Sequence, residues 1–192
     1  KNIFGSGNSL NSNFTLNTED IKFDVNYVQY PILNPNLTNT YTIYNQDNDY
    51  TNSFGYKATR RGVGYFLNFK QSDKLSYGTG ISYETFKGHS AKNSTSSSIT
   101  DNIGNFDNLK LKFSINYDSS NNFLNPTNGT INKLDITYSP NEISDNSFYK
   151  VFITNKNYRE LKNSKNYLFL NNKYGYAESL DSKLKTIDAF AL

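Results

Sequence analysis

Few residues of this chain have the types and spacing that catalysis requires. His89 is the only histidine, and it lies in the Ser-rich segment 87–107, "KGHSAKNSTSSSITDNIGNFD". A multi-histidine metal site or a triad with a positioned base cannot be built on one such residue. The chain contains no cysteine, which excludes disulfides, thiolate ligands and a cysteine nucleophile. We therefore predict no catalytic, metal-binding or cofactor-binding residues and no enzymatic activity.

Glycine and arginine motifs offer two further kinds of chemistry. "GSG" at 5–7 and "GTG" at 78–80 contain the glycines of a phosphate loop but lack its strand-to-helix setting. Arg60 and Arg61, with scattered lysines, alternate with aromatic residues as in some nucleic-acid-binding surfaces. No nucleic-acid-binding fold signature accompanies them, and 20 Lys+Arg against 17 Asp+Glu leave a net charge of only +3. We therefore expect both glycine motifs to be strand glycines and the basic residues to line the lumen or lie in loops. We expect no nucleic acid partner.

The elements that would position any site are β-strands. Apolar and polar residues alternate with period two through nine segments, and almost no helical period occurs. The pattern is clearest in 109–117, "LKLKFSINY", where five apolar or aromatic residues alternate with four polar ones. The segments that we predict as strands are 8–17, 21–29, 37–43, 63–69, 75–83, 109–117, 134–138, 148–158 and 166–176.

The connections between these segments alternate in character. Compact turns are expected at 2–8, 30–36, 71–74, 118–130 and 160–166. At the opposite end of the sheet we expect the connections 17–20 and 139–147, together with long polar loops around 45–60 and 87–107. Short turns at one end and long loops at the other are typical of transmembrane β-barrels in outer membranes.

Strand length and face composition favour a membrane barrel over a soluble sandwich. Several segments approach the roughly 9 to 11 residues that a tilted membrane strand needs, whereas sandwich strands usually have about 5 or 6. We predict that Leu109, Leu111, Phe113 and Ile115 face lipid, while Lys110, Lys112 and Ser114 face the lumen, because lipid cannot solvate an ammonium. A soluble, Asn-rich adhesin-type β domain remains the alternative.

The stretch 118–130, "DSSNNFLNPTNGT", is the most closely specified turn. Pro126 fixes φ and donates no hydrogen bond, so it lies outside the strand ladder. Gly129 can take a positive φ where the next strand begins. We interpret the stretch as a turn that sets strand register and binds no ligand.

Several motifs, in order along the chain, resemble the barrel domain of the BamA-like outer-membrane-protein assembly factors. Asp118, Asn122, Pro126, Thr127 and Gly129 match that family's Asp, Asn, Phe-Pro-Thr and Gly turn, although Asn125 stands where the family often has an aromatic residue. "NIFGSGNSL", "DVNYVQYPILNPNLTNTYTIYNQDND", "YGTGISYE" and "NNKYGYAESL" also have family counterparts. The resemblance covers nearly the whole chain.

This resemblance implies a function and a location. Residues 1–192 would be part of a barrel domain, without the POTRA domains, the first strands or the C-terminal strands. The whole protein would insert unfolded outer-membrane proteins into the bacterial outer membrane, with membrane lipid, unfolded substrates and accessory lipoproteins as partners. A TamA-like translocation factor, a two-partner secretion transporter and an ordinary porin are the alternatives. Nine strands are too few for the implied sixteen-stranded barrel, so we expect an open, curved antiparallel sheet whose edges are the strands near 8–17 and 166–176.

The long loop 87–107 provides a first test of this organisation. Its Ser, Thr and Asn residues cannot bury enough apolar surface to form packed structure. Deleting residues 92–99 is therefore expected to leave the sheet folded, as measured by the β-sheet circular dichroism of the refolded protein. Loss of that signal would contradict the loop assignment.

Overall fold

The computed structural model describes residues 7–17, 20–51, 56–90, 103–161 and 166–181. Their regular structure consists of nine β-strands: β1 (Ser9–Leu16), β2 (Asp20–Gln29), β3 (Leu37–Tyr50), β4 (Tyr56–Lys70), β5 (Leu75–Ser90), β6 (Gly104–Asp118), β7 (Gly129–Ser139), β8 (Phe148–Glu160) and β9 (Tyr167–Ser179). The strands form one sheet in chain order, and neighbouring strands are antiparallel throughout. Within these ranges no helix is long and apolar enough to span a membrane. The predicted all-β, up-and-down sheet is confirmed.

The sheet is open at both sides. Among the described residues, β1 pairs only with β2 and β9 pairs only with β8. The predicted free edges are therefore confirmed, and no ladder joins the first strand to the last in the described structure. One side of each edge strand presents backbone N–H and C=O groups that a further strand could satisfy.

Alternate connections lie at opposite ends of the strands, as the sequence predicts. We call one end the turn end; its connections are 30–36, 71–74, 119–128 and 161–166. The other, the loop end, has the connections 17–19, 51–55, 91–103 and 140–147. The 87–107 connection and the 118–130 turn thus lie at opposite ends of the sheet, which was also predicted.

The two long loops expected at the loop end are shorter than predicted. β3 continues to Tyr50 and β4 begins at Tyr56, so most of the 45–60 segment is a strand pair. Likewise β5 continues to Ser90 and β6 begins at Gly104. These extensions contain a few buried apolar residues, such as Ala58 and Phe86, but lack the regular alternation that identifies a half-buried strand. Residues 91–102 lie outside the described residues, and the 92–99 deletion stays a prediction.

The extensions carry charges on the side that is apolar elsewhere in the sheet. Asp47 and Asp49 of β3 follow Ile43 on that side, and Lys57 of β4 lies opposite Asp49. The Lys57 Nζ is 2.6 Å from Asp49 Oδ2. Hydrogen bonds from Lys57, and then from Thr51, hold the pKa of Asp49 at about 2. Charged pairs of this kind indicate that the loop end extends into water.

The 140–147 connection completes the sheet where β7 is too short. β7 ends at Ser139, so residues 104–110 of β6 have no β7 partner. There the Asp145 amide donates to the Asp107 carbonyl at 2.9 Å, and the Asp107 amide donates to Asp145 Oδ2 at 2.8 Å. The connection therefore substitutes for strand pairing along this part of β6.

Candidate functional site

Side chains of successive residues alternate between two faces, and the antiparallel registers continue this separation across all nine strands. One of them, here called the apolar face, exposes large apolar and aromatic side chains on every strand. They include Phe14, Ile21, Phe23, Tyr41, Ile43, Val63, Tyr65, Ile81, Tyr83, Leu111, Phe113, Tyr138, Ile153, Tyr174 and Tyr176. A continuous exposed apolar surface of this extent is unusual for a soluble monomer and typical of a surface with an apolar partner.

The four residues predicted to face lipid lie together on the apolar face. Leu111 and Phe113 are 40% and 42% exposed, and Leu109 and Ile115 are half-buried. The intervening Lys110, Lys112 and Ser114 lie on the opposite face, here called the polar face, as strand alternation requires. The grouping matches the sequence expectation, and contact of this face with lipid stays a prediction.

Tyrosines form a ladder on the apolar face near the turn end. Tyr27, Tyr41 and Tyr65 lie opposite one another on β2, β3 and β4. Ring centroids are 6.1 Å apart for the first pair and 5.2 Å apart for the second. Such pairs stabilise neighbouring strands, and Tyr residues are enriched at the boundary between bilayer and water.

A buried charge cluster occupies the polar face. Glu84 Oε1 lies 2.9 Å from Lys110 Nζ and 3.2 Å from Arg60 Nη2. The Tyr44 hydroxyl donates to the other carboxylate oxygen at 2.5 Å. The Glu84 and Lys110 side chains are only 8% and 11% exposed. One carboxylate thus holds groups from four consecutive strands, β3 to β6, in register.

The sequence pattern does not predict this cluster. It predicts Arg60 only as a lumenal or loop charge, and it assigns no role to Glu84. A signal was present, because Glu84 occupies a polar-face position of β5 between Ser82 and Phe86. A carboxylate at such a position needs a cation within reach, since an unpaired buried charge is strongly unfavourable.

Glycines on the polar face give space to aromatic rings from the same or adjacent strands. A Cβ atom on Gly62 would lie 2.4 Å from the Tyr44 ring. A Cβ atom on Gly80, the last residue of "GTG", would lie 2.2 Å from the Phe66 ring. The rings therefore lie flat against neighbouring backbone, which covers strand positions that have no side chain of their own.

The predicted turn motif is held by hydrogen bonds from side chains to backbone. Asp118 Oδ1 accepts the Ser120 amide at 2.8 Å. Asn122 Oδ1 accepts the Leu124 amide at 2.9 Å and the Asn125 amide at 3.1 Å. These are Asx-type turns, which fix the backbone without any ligand.

Asn121 has a role in this turn that the sequence analysis missed. Its Oδ1 accepts the amides of Thr127 at 3.0 Å and Asn128 at 3.1 Å, and its Nδ2 donates to Thr127 Oγ1 at 2.9 Å. One amide side chain thus joins the two arms of the turn. The run of five polar residues before Phe123 gives no indication of which of them joins the arms.

Gly129 begins β7 with a φ of +107°. A Cβ atom there would lie 2.3 Å from the Ser119 carbonyl oxygen. We expect Gly129→Ala to lower the free energy of unfolding by about 1–3 kcal/mol, because backbone strain and a backbone clash both oppose the side chain. Urea unfolding of the full-length protein in detergent measures this. Asn125→Ala in the same turn is the control, with an expected change within about 0.5 kcal/mol; equal effects would contradict the steric explanation.

His89 lies in the extension of β5, where it is exposed and pairs with Lys57 of β4. Across the described ranges, no group of three or more His, Asp or Glu residues could hold a metal ion. The first glycine motif, at 5–7, lies almost entirely outside the described residues. The second, at 78–80, lies within β5.

Comparison with known proteins places this architecture in a family. The model of the Omp85 superfamily domain matches residues 2–192. The crystal structure of BamA from Haemophilus ducreyi lacking POTRA domains 1–3 is similar, with a TM-score of 0.81 and 19% sequence identity over 97% of this chain. The alignment covers 38% of that BamA chain. No curated protein matches the sequence. The match over nearly its whole length shows that this chain belongs to the Omp85 superfamily of outer-membrane proteins.

Proposed function

We propose that this chain is part of the barrel wall of an insertase that folds β-barrel proteins into the bacterial outer membrane. The observation that supports this proposal most is the open nine-stranded sheet, which is similar in fold to the BamA structure across 97% of the chain. Two free edges are what a segment of a larger barrel would have, with further strands pairing at β1 and β9.

The role of this wall segment is structural and follows from its two faces. Its apolar face contacts outer-membrane lipid, and its polar face lines the barrel interior. The Glu84 cluster and the glycine-seated rings hold β3 to β6 in fixed register, so the segment is a rigid wall. Opening of the barrel to unfolded substrates would then occur elsewhere, between strands outside β1 to β9. The proposed activity uses no catalytic residue and no cofactor, and accessory lipoproteins would bind at other domains.

The experiment is reconstitution of the full-length protein into liposomes, followed by addition of an unfolded outer-membrane β-barrel protein. We expect faster folding of the substrate than in empty liposomes, measured by the altered gel mobility of folded barrels. Liposomes with a porin of similar mass control for simple disturbance of the bilayer. Absence of acceleration, together with transport of a dedicated passenger protein across the bilayer, would show a secretion transporter instead.

A further inference from the structure

A cleft of about 310 Å³ opens among polar-face residues at the centre of the sheet. Its lining includes Asn68 of β4, Gly78 of β5, and Lys112 and Ser114 of β6. Thr137 of β7 closes the far side. Thr40 of β3 also lines it, so the cleft spans five strands, β3 to β7. Its volume is close to that of the smaller ligand sites of proteins, which begin at about 300 Å³.

The polar groups of this cleft have unused hydrogen-bonding capacity. A Cβ atom on Gly78 would lie 2.4 Å from Ser114 Oγ and 2.9 Å from Asn68 Oδ1, so both groups converge over this glycine. Neither side chain has a hydrogen-bonding partner within the described part of the chain. The glycine thus leaves a hydroxyl and an amide at the floor of the cleft, available to a ligand.

Lys112 gives the cleft a positive charge that the protein does not neutralise. Its Nζ lies 5.0 Å from the centroid of the Phe66 ring. Among the described residues, no carboxylate lies within 4 Å of this ammonium. The carboxylate of Glu84 is engaged by Arg60 and Lys110.

Asp135, which also lines the cleft, is engaged as well. Its Oδ2 is 2.9 Å from Lys133 Nζ on the same strand, and both side chains are substantially exposed. The charged lining residues are Lys112 and Asp135. Lys110, Lys150 and Arg60 also act electrostatically on the Lys112 ammonium, so the surroundings of Lys112 favour an anionic ligand.

We propose that the cleft binds a carboxylate of a polypeptide segment that enters the barrel interior. The Lys112 ammonium can pair with a carboxylate, and the Ser114 hydroxyl can donate to one of its oxygens. The backbone N–H groups of β5 and β6 are used in their shared ladder, so the cleft lacks the amide nest typical of phosphate sites. Lipid would lie on the opposite face. The inference rests on the proposed function only in that the segment is a polypeptide.

The test begins with the electrostatic potential in the cleft. Thr40 lines the cleft, and Thr40→Cys provides a reporter thiol there because this chain has no cysteine of its own. The substitution is made in the full-length protein, in which any cysteines outside this chain have been replaced. Anionic and cationic methanethiosulfonate reagents are compared by their rates of modification. The anionic reagent should be favoured, and Lys112→Gln should reduce this preference about threefold per unit of probe charge. Lys112→Arg should keep the preference.

The control is Lys87→Gln, whose exposed ammonium lies on the apolar face near the loop end, away from the cleft, and we expect it to change the preference much less. The ligand is tested by protection of the same thiol with short peptides. An aspartate-containing peptide should protect the thiol better than its asparagine counterpart, and the difference should disappear in Lys112→Gln.

Equal protection by the two peptides, or an effect of Lys87→Gln as large as that of Lys112→Gln, would overturn the proposal. Better protection by inorganic phosphate than by the aspartate peptide would overturn it in favour of a phosphate ligand. Because neither measurement uses a folding substrate, a negative result here is distinguishable from failure of the insertase proposal.

Discussion

Replacing Glu84 by alanine is expected to lower the free energy of unfolding by about 3 kcal/mol, and by up to about 5 kcal/mol, because it leaves buried cations without a counter-charge. Lys110 is 11% exposed and Arg60 is 30% exposed, so water would solvate the Lys110 ammonium poorly. The variant also removes the acceptor of the Tyr44 hydroxyl. Urea unfolding of the full-length protein in detergent gives the difference.

Two further variants separate the loss of ion pairing from the loss of packing. The double variant Glu84→Gln, Lys110→Gln should be more stable than Glu84→Ala, because the two amides can replace one ion pair by a neutral hydrogen bond. Asp135→Asn removes a more exposed partner, 35% accessible beside Lys133, and should change stability by at most about 1 kcal/mol. A Glu84→Ala effect as small as that of Asp135→Asn would contradict the structural role of the cluster.

Leu111→Lys is expected to destabilise the membrane-inserted barrel by about 2–4 kcal/mol, because an ammonium on the lipid side near the middle of a strand cannot be solvated. Leu111 lies between Leu109 and Phe113 on the apolar face and is 40% exposed. Unfolding of the full-length protein in lipid vesicles measures the change.

Ser114→Lys on the same strand is the control for this substitution. Position 114 lies on the polar face and lines the cleft, so a flexible lysine side chain there can extend through the cleft to water. We expect a change within about 1 kcal/mol. If the two lysine variants were equally tolerated, the apolar face would not be the lipid-facing one.

The sequence predicts the strands of this fold where one face is apolar and the other is polar. The segment 109–117 shows that alternation completely and lies within β6. The alternation is lost at 45–60 and 87–107, where the strands continue although apolar residues do not recur regularly on either face. Pairing with the neighbouring strand decides the structure there, and period-two hydrophobicity carries no information about it.

The candidate site was less predictable than the fold. The turn residues from Asp118 to Gly129 could be identified because proline, glycine and Asx residues have local conformational preferences. The Glu84 cluster depends on the register of strands far apart in sequence, which brings residues 60, 84 and 110 together. Sequence spacing alone does not give that register. The same limitation applies to the cleft beside Lys112.

Spin labels placed one at a time on cysteines at positions 109–115 of the full-length protein in vesicles test directly whether the apolar face of this sheet contacts lipid while the polar face contacts water. We predict that collisions with apolar oxygen dominate at positions 109, 111, 113 and 115, and that collisions with a water-soluble nickel complex dominate at 110, 112 and 114. The reverse alternation, or nickel access at every position, would contradict the membrane-barrel account.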